Sequence, residues 1–401
     1  MSGARRSLLL LPFAHGSQSR RALADLYKRP LTAALSQLKS PNHSSILIIA
    51  VVGSFLQVPA GGPPANRFSW PYTQSILAGL YSLTAHICAQ QSIATDVNAG
   101  PNSVDARVLL IHDDRAKPAG YEDGFNGTVV QNFSDFVRQE SSWTSIFHLK
   151  SAEGLQLAGH CVENIKGGPQ GIRDLIGLDC DNAPGLEDDR RTAESAASPS
   201  RQYPVVCLGG TFDHLHPGHK LLLSAGALLL DVPETVQSPS RYIVGVTGDE
   251  MLKNKKFAEY VQPWDVRARG VLEYLHSFID HPTHAEPALT SQREGQLVGT
   301  FRAGRVVVEC VVFQDLYGPT ITIEGIEALV VSGETRSGGK AVNDKRKDQG
   351  WKELDVYEVD VLDSRGATDD SSVGPEDFGA KISSTAIRQQ KAEGFSPDGR
   401  L

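Results

Sequence analysis

The chain has 401 residues, of which 40% are hydrophobic, 21% charged and 7% aromatic, proportions of an ordinary globular protein that exclude wholesale disorder. At about 100 to 200 residues per domain the length predicts two or three domains, with two as the working count, each able to bury a core without metal or disulfide staples. With 39 Lys plus Arg against 47 Asp plus Glu the formal charge is −8, which argues against nucleic acid or an anionic membrane as the main partner, because both select a basic surface. Small phosphorylated ligands, which need only a few positive groups in one cleft, stay open. The cysteines Cys88, Cys161, Cys180, Cys207 and Cys310 are odd in number and form no CxxC pair. Neither a disulfide framework nor a zinc site is expected, and a reducing compartment fits best.

Arg5 and Arg6 precede Leu8 to Leu11, and no acidic residue appears before Asp25. That composition fits a weak transit peptide, but a buried first strand stopped by Pro12 and followed by an amphipathic helix is the favoured reading. A cytoplasmic location is expected, with mitochondrial as the alternative. The longest apolar run, residues 46–58, is shorter than the ~20 residues a membrane helix needs. Runs such as SLLLLPF, SILIIAVVGSFLQV and ARVLLIHDD alternate with helical stretches at 19–38 and 72–91, which predicts a parallel α/β domain over residues 1–180. Residues 181–202, DNAPGLEDDRRTAESAASPSRQ, lose hydrophobic periodicity and read as a linker.

From Tyr203 the pattern sharpens. Strand-like YPVVCLGG, RYIVGVTG, RVVVECVVF, EALVVSG and LDVYEVDVL are separated by helical segments from Pro217, Trp264 and Lys340. Short β-branched runs joined by helices predict a doubly wound, parallel, five-stranded Rossmann-like sheet over residues 203–395. Polar insertions at 281–304 and 363–380 read as surface loops.

The first of these strands runs into Gly209, Gly210, Thr211, Phe212, Asp213, His214, Leu215, His216, Pro217, Gly218 and His219. A strand, a Gly-rich turn and a helix start leave backbone N–H groups free to hold phosphate. Pro217 suits the first helical turn, and Gly218 leaves room for a close ligand. His216 and His219, three apart, share one face. Near the C-terminal end, KISSTAIRQQK offers the hydroxyls of Ser383, Ser384 and Thr385 at another helix start, with Arg388 one turn on.

GGTFDHLHPGH resembles the HxGH signature of the nucleotidylyltransferase superfamily, and ISSTAIR resembles its ISSTxxR motif. The resemblance implies in-line attack on the α-phosphate of a nucleoside triphosphate with pyrophosphate leaving and no covalent intermediate. Gly209, Gly210, Thr211, Phe212, His216, His219, Ser383, Ser384, Thr385 and Arg388 would then bind ATP, with His216 and His219 stabilising the reacting phosphate.

Within the superfamily, residues 203–393 resemble eukaryotic phosphopantetheine adenylyltransferases, in particular the monofunctional fungal type. The match rests on GDEMLKNKKFAEYVQPWDVRARGVLEYL, FQDLYGPT and LVVSGETRSGGKAVNDKR. It implies ATP and 4'-phosphopantetheine as substrates, Mg2+ carried with ATP, and association with other enzymes of coenzyme A synthesis. Lys253 and Lys255 match the family's cationic loop best, with Lys256 beside them, and are expected to be catalytic. Thr211, Asp213, Thr335, Asn343 and Arg346 are expected to bind substrate, although Asp213 equally suits holding its own loop. Gly338 and Gly339 belong to the same stretch, and Asp315 and Tyr317 fit either a pantetheine pocket or a turn. Arg336 departs from the family pattern. No GxxxxGK[ST] segment occurs, so the kinase fused to this enzyme in animals is not expected, and the chain ends soon after ISSTAIR. Nicotinamide mononucleotide adenylyltransferase or a cytidylyltransferase is the alternative enzyme, and a non-catalytic regulatory scaffold the alternative of another class. The first 180 residues carry no catalytic signature and are expected to act as an intramolecular scaffold.

Overall fold

The computed structural model describes residues 5–13, 19–56, 68–96, 100–115, 126–139, 143–165, 172–180, 200–280, 288–360, 362 and 383–394. Residues 363–380 and most of the proposed linker lie outside this set.

The leucines of β1 (Arg5–Pro12) are wholly buried from Leu8 to Leu11 because the strand lies inside a parallel sheet. That sheet also contains β2 (Ser45–Gly53), β3 (Val104–His112), β4 (Gln131–Asn132), β5 (Trp143–Leu149) and β6 (Ile172–Leu178). Its order is β4-β3-β2-β1-β5-β6, and every pairing is parallel. The crossovers are α1 (Arg20–Leu38), α2 (Trp70–Gln90), the short α3 (Phe133–Gln139) and α4 (Ala152–Asn164). Ser19 caps α1 by accepting from the Ala22 N–H at 3.1 Å, and Ser151 caps α4 through Gly154 N–H at 3.1 Å. Each cap satisfies one of the donors a helix start leaves open.

The second sheet is built from β7 (Val205–Gly210), β8 (Ser240–Thr247), β9 (Ala288–Arg293), β10 (Gln296–Phe301), β11 (Val306–Phe313), β12 (Ala328–Ser332) and β13 (Asp355–Val359). Its order is β13-β12-β7-β8-β11-β10-β9. The five-stranded parallel core is as expected, linked by α5 (Pro217–Ala227), α6 (Trp264–Ile279) and α7 (Arg336–Asp348), with α8 (Ser384–Ala392) beyond it. The chain moves outward from β7 through β8 to β11 and then returns to β12 on the other side of β7. The carboxyl ends of β7 and β12 therefore flank the topological switch point, where such sheets open a crevice.

Residues 288–301 correct the expectation of a loop at 281–304. They form an antiparallel hairpin that adds β9 and β10 to the sheet edge. Its turn passes through Gly295 at φ +72°, a conformation glycine adopts without strain. The buried alternation of β10 is Leu297, Gly299 and Phe301, and with only two large apolar side chains it gives too little signal to stand out in a polar run.

One continuous apolar core joins the two sheets. α2 is apolar on nearly all sides, as a helix covered from two directions must be. It packs between the first sheet and the α5–α6 face of the second. Trp70 donates Nε1–H to the Ala225 carbonyl at 2.8 Å. Tyr81 shares a 2.7 Å hydroxyl bond with Tyr274, which lies 2.5 Å from Ser224 Oγ.

Candidate active site

The turn after β7 holds two non-glycine residues in the left-handed region, Phe212 at φ +53° and His214 at φ +47°. Each such residue costs of order 1 kcal/mol or more and persists only where its surroundings over-determine it. The surroundings do so here. Asp213 is fully buried; its carboxylate accepts from Gln262 N–H at 2.9 Å and from Arg388 Nη1 at 2.5 Å. His214 is bonded through Nδ1 to Asp96 at 3.1 Å and through Nε2 to the Tyr260 carbonyl at 3.0 Å.

Asp213 and His214 are turned inward, whereas His216 and His219 are half-buried at the carboxyl edge of the sheet. His216 is the N-cap residue of α5 and Pro217 its first helical residue. The two rings stack with centroids 3.8 Å apart and planes 23° apart, and Phe212 lies 5.3 Å from the His219 ring. A Cβ on Gly218 would come within 3.2 Å of the His216 ring, so glycine lets that ring lie across the helix start. Burial pushes His216 down to about 3, reinforced by the Lys220 charge. His219 falls well below the ordinary histidine value through burial and its neighbours His216 and Lys255. Both imidazoles are neutral at pH 7. Among the described residues, Nδ1 of each is buried without a hydrogen-bond partner, so both rings carry unspent hydrogen-bonding capacity at the switch point of the sheet.

Around the pair, Lys255 Nζ reaches Thr211 Oγ1 at 3.5 Å. Lys253 instead forms an exposed pair with Glu250 at 2.5 Å, and Lys256 contributes its backbone carbonyl to Arg388 at 3.0 Å. Ser383 caps α8, accepting from Ala386 N–H at 3.3 Å, and Ser384 Oγ donates to the Asp213 carbonyl at 2.7 Å. The start of α8 is thereby held against the turn that carries the histidines. Thr335 lies just past β12 on the same edge, its hydroxyl engaged with Ser332 in a capping box.

Several residues expected to meet ligand hold the fold instead. Arg388 is 1% exposed, and its guanidinium bonds Asp213, the Lys256 carbonyl and Thr385 Oγ1; it ties α8 to the turn. Asp213, correspondingly, is a loop anchor. Asn343 spends both ends of its amide on Leu354, at 3.0 and 2.8 Å. Arg346, fully buried, donates to the carbonyls of Lys352, Thr320 and Glu324, each at 2.8 Å, and its guanidinium lies 5.2 Å over Trp351. Both sit toward the C-terminal end of α7, which runs back from the crevice to the amino ends of the strands. Asp315 accepts from the Tyr317 and Gly318 N–H groups at 2.7 Å, making a turn.

Arg267, on α6, was not among the residues expected at this edge. It is 1% exposed and donates to the carbonyls of Thr211 at 2.6 Å, Thr247 at 2.7 Å and Gln262 at 2.8 Å. It also binds Asp249 at 2.6 Å. It thus staples the carboxyl ends of β7 and β8 together. A cavity of about 790 Å³ opens beside this edge, lined by Asp249, Glu250, Asp265, Arg269, Arg293 and Glu294 among others. Its charges are mixed, and neither histidine lines it.

A parallel sheet with this switch point, together with a histidine pair at the first helix start, defines a Rossmann-like domain of the nucleotidylyltransferase class. Phosphopantetheine adenylyltransferase of Pyrococcus furiosus is 30% identical over 188 residues, which are 47% of this chain and 89% of the relative. That of Methanothermobacter thermautotrophicus is 32% identical over 189 residues, 47% of this chain and 85% of the relative. The chain belongs to the phosphopantetheine adenylyltransferase family. The Saccharomyces cerevisiae phosphopantetheine adenylyltransferase is 35% identical over 198 residues, 49% of this chain; the chain spans about half of that relative's length, 52%. Residues 1–171 match a domain of unknown function (DUF8446). A crystal structure of a protein with unknown function from Archaeoglobus fulgidus is 28% identical and covers 39% of this chain and 98% of its own, with a TM-score of 0.27.

Proposed function

We propose that the chain transfers AMP from ATP to 4'-phosphopantetheine, giving dephospho-coenzyme A and pyrophosphate. The observation that carries this reading is the stacked pair His216 and His219 at the start of α5, beside the start of α8. A phosphate oxygen of the acceptor attacks the α-phosphorus in line. The new P–O bond forms as the bond to the bridging oxygen breaks, and pyrophosphate leaves with that electron pair. No group on the protein need become covalently attached, so the residues act by positioning and by meeting charge as it spreads over the α-phosphate oxygens. Neutral imidazoles donate N–H there without bringing a buried positive charge of their own. The backbone N–H groups at the starts of α5 and α8 suit the phosphate chain, and Lys255 beside Thr211 supplies the nearby cation. Mg2+ enters as part of the MgATP substrate, held by phosphate oxygens and water. With no GxxxxGK[ST] segment in the 401 residues, the proposal assigns the transferase activity alone.

The test is pyrophosphate release by the full chain with MgATP and either 4'-phosphopantetheine or nicotinamide mononucleotide. Release is expected with 4'-phosphopantetheine only. Release with the other acceptor would overturn the substrate, and release with neither would favour the regulatory scaffold.

A further inference from the structure

Lys220 follows His219 directly, and consecutive helical residues point about 100° apart. While His219 lies at the carboxyl edge of the sheet, Lys220 therefore faces the N-terminal domain, where it is fully buried. Among the described residues, every hydrogen bond of its ammonium goes to that domain: to the Asp105 carboxylate, to the Ala106 carbonyl at 3.2 Å and to the Thr95 carbonyl at 3.5 Å. Asp105, at the start of β3, is also gripped by Arg107 at 2.6 Å, and Arg107 reaches across to the Glu273 carbonyl on α6 at 3.4 Å. The Arg107 and Lys220 charges outweigh the penalty of burial and hold the Asp105 carboxyl below its ordinary range. Two residues before His216, the His214 ring is held by Asp96, just ahead of the same strand, at 3.1 Å. Both grips come from one edge of the first sheet, and between them lies the whole HPGH segment.

We infer that the N-terminal domain is a working part of the transfer site: through Asp105 and Asp96 it fixes the position of the HPGH segment, and these two carboxylates are positioning residues for the reaction. The inference rests on the transferase reading above, and it gives the residues matched by a domain of unknown function a role in catalysis. A buried ammonium is tolerated only when paired and hydrogen-bonded, so the first turn of α5 keeps its place only while the first domain supplies these partners. A displacement of the histidines by as little as about 1 Å is enough to cost on the order of 100-fold in rate.

Two full-length variants test this. Lys220→Met removes the strap but leaves Asp105 paired with Arg107, and Asp96→Asn keeps the shape of the side chain while removing its charge. Each is expected to lower kcat about 10- to 100-fold with a much smaller change in KM for MgATP. Each is also expected to move the imidazole NMR signals of His216 and His219 in protein carrying 15N-labelled histidine. Wild-type kcat per folded molecule with unmoved imidazole signals, even at a lowered melting temperature, would show a purely structural contact and overturn the inference. If Lys220→Met does not fold, Asp96→Asn decides alone. If the wild-type chain transfers no AMP, the transferase reading fails, and the imidazole signals still report separately on whether the carboxylates position the histidines.

Discussion

His219→Ala is expected to lower turnover about 10²- to 10³-fold, the loss seen when one donor aimed at a developing oxyanion is removed, while binding of ATP changes little. Burial and its charged neighbours hold the ring well below the ordinary histidine value; it stacks on His216, and its buried Nδ1 has no partner among the described residues. It therefore has hydrogen-bonding capacity to offer and no charge with which to grip the ground-state triphosphate. An interaction made mainly in the transition state shows as an equal fall in kcat and kcat/KM. Steady-state kinetics of the folded variant check this. A collapse of ATP binding with preserved turnover of bound substrate would assign His219 to ground-state binding instead.

The second large effect is expected from the Asp213–Arg388 pair. Both side chains are almost completely buried, and their 2.5 Å contact joins residues 175 apart in sequence. Arg388→Met leaves the Asp213 carboxylate buried without its guanidinium partner, and breaking such a pair costs about 3–5 kcal/mol. Urea unfolding measures the loss. Activity is expected to fall as well, because the same guanidinium secures α8 to the Lys256 carbonyl. Asp213→Asn combined with Arg388→Met removes both charges and is expected to recover part of the stability lost by either alone. A loss below about 1 kcal/mol in Arg388→Met, the scale of an exposed ion pair, would contradict this role.

The parallel strands were legible because each is a compact β-branched run, and the start of α5 was legible because HPGH follows the first of them without a break. The hairpin β9–β10 was not, since its buried face shows only two large apolar side chains, Leu297 and Phe301, in a polar stretch. Asn343 and Arg346 stand in a stretch that resembles a substrate-binding segment. Their donors are consumed by backbone carbonyls that sequence spacing does not bring near them. The grip of the first domain on the second was illegible for a related reason. Asp105 and Lys220 carried no expectation, because nothing local to either residue reveals a partner 115 residues away.

The fate of the α-phosphate of ATP tests the central claim most directly. With ATP labelled at that phosphorus, the full chain, Mg2+ and 4'-phosphopantetheine, the label is expected in dephospho-coenzyme A, with one pyrophosphate released per label transferred and none retained on protein. Label held covalently on the chain, or label left in ATP after prolonged incubation, would contradict direct transfer at the histidine pair.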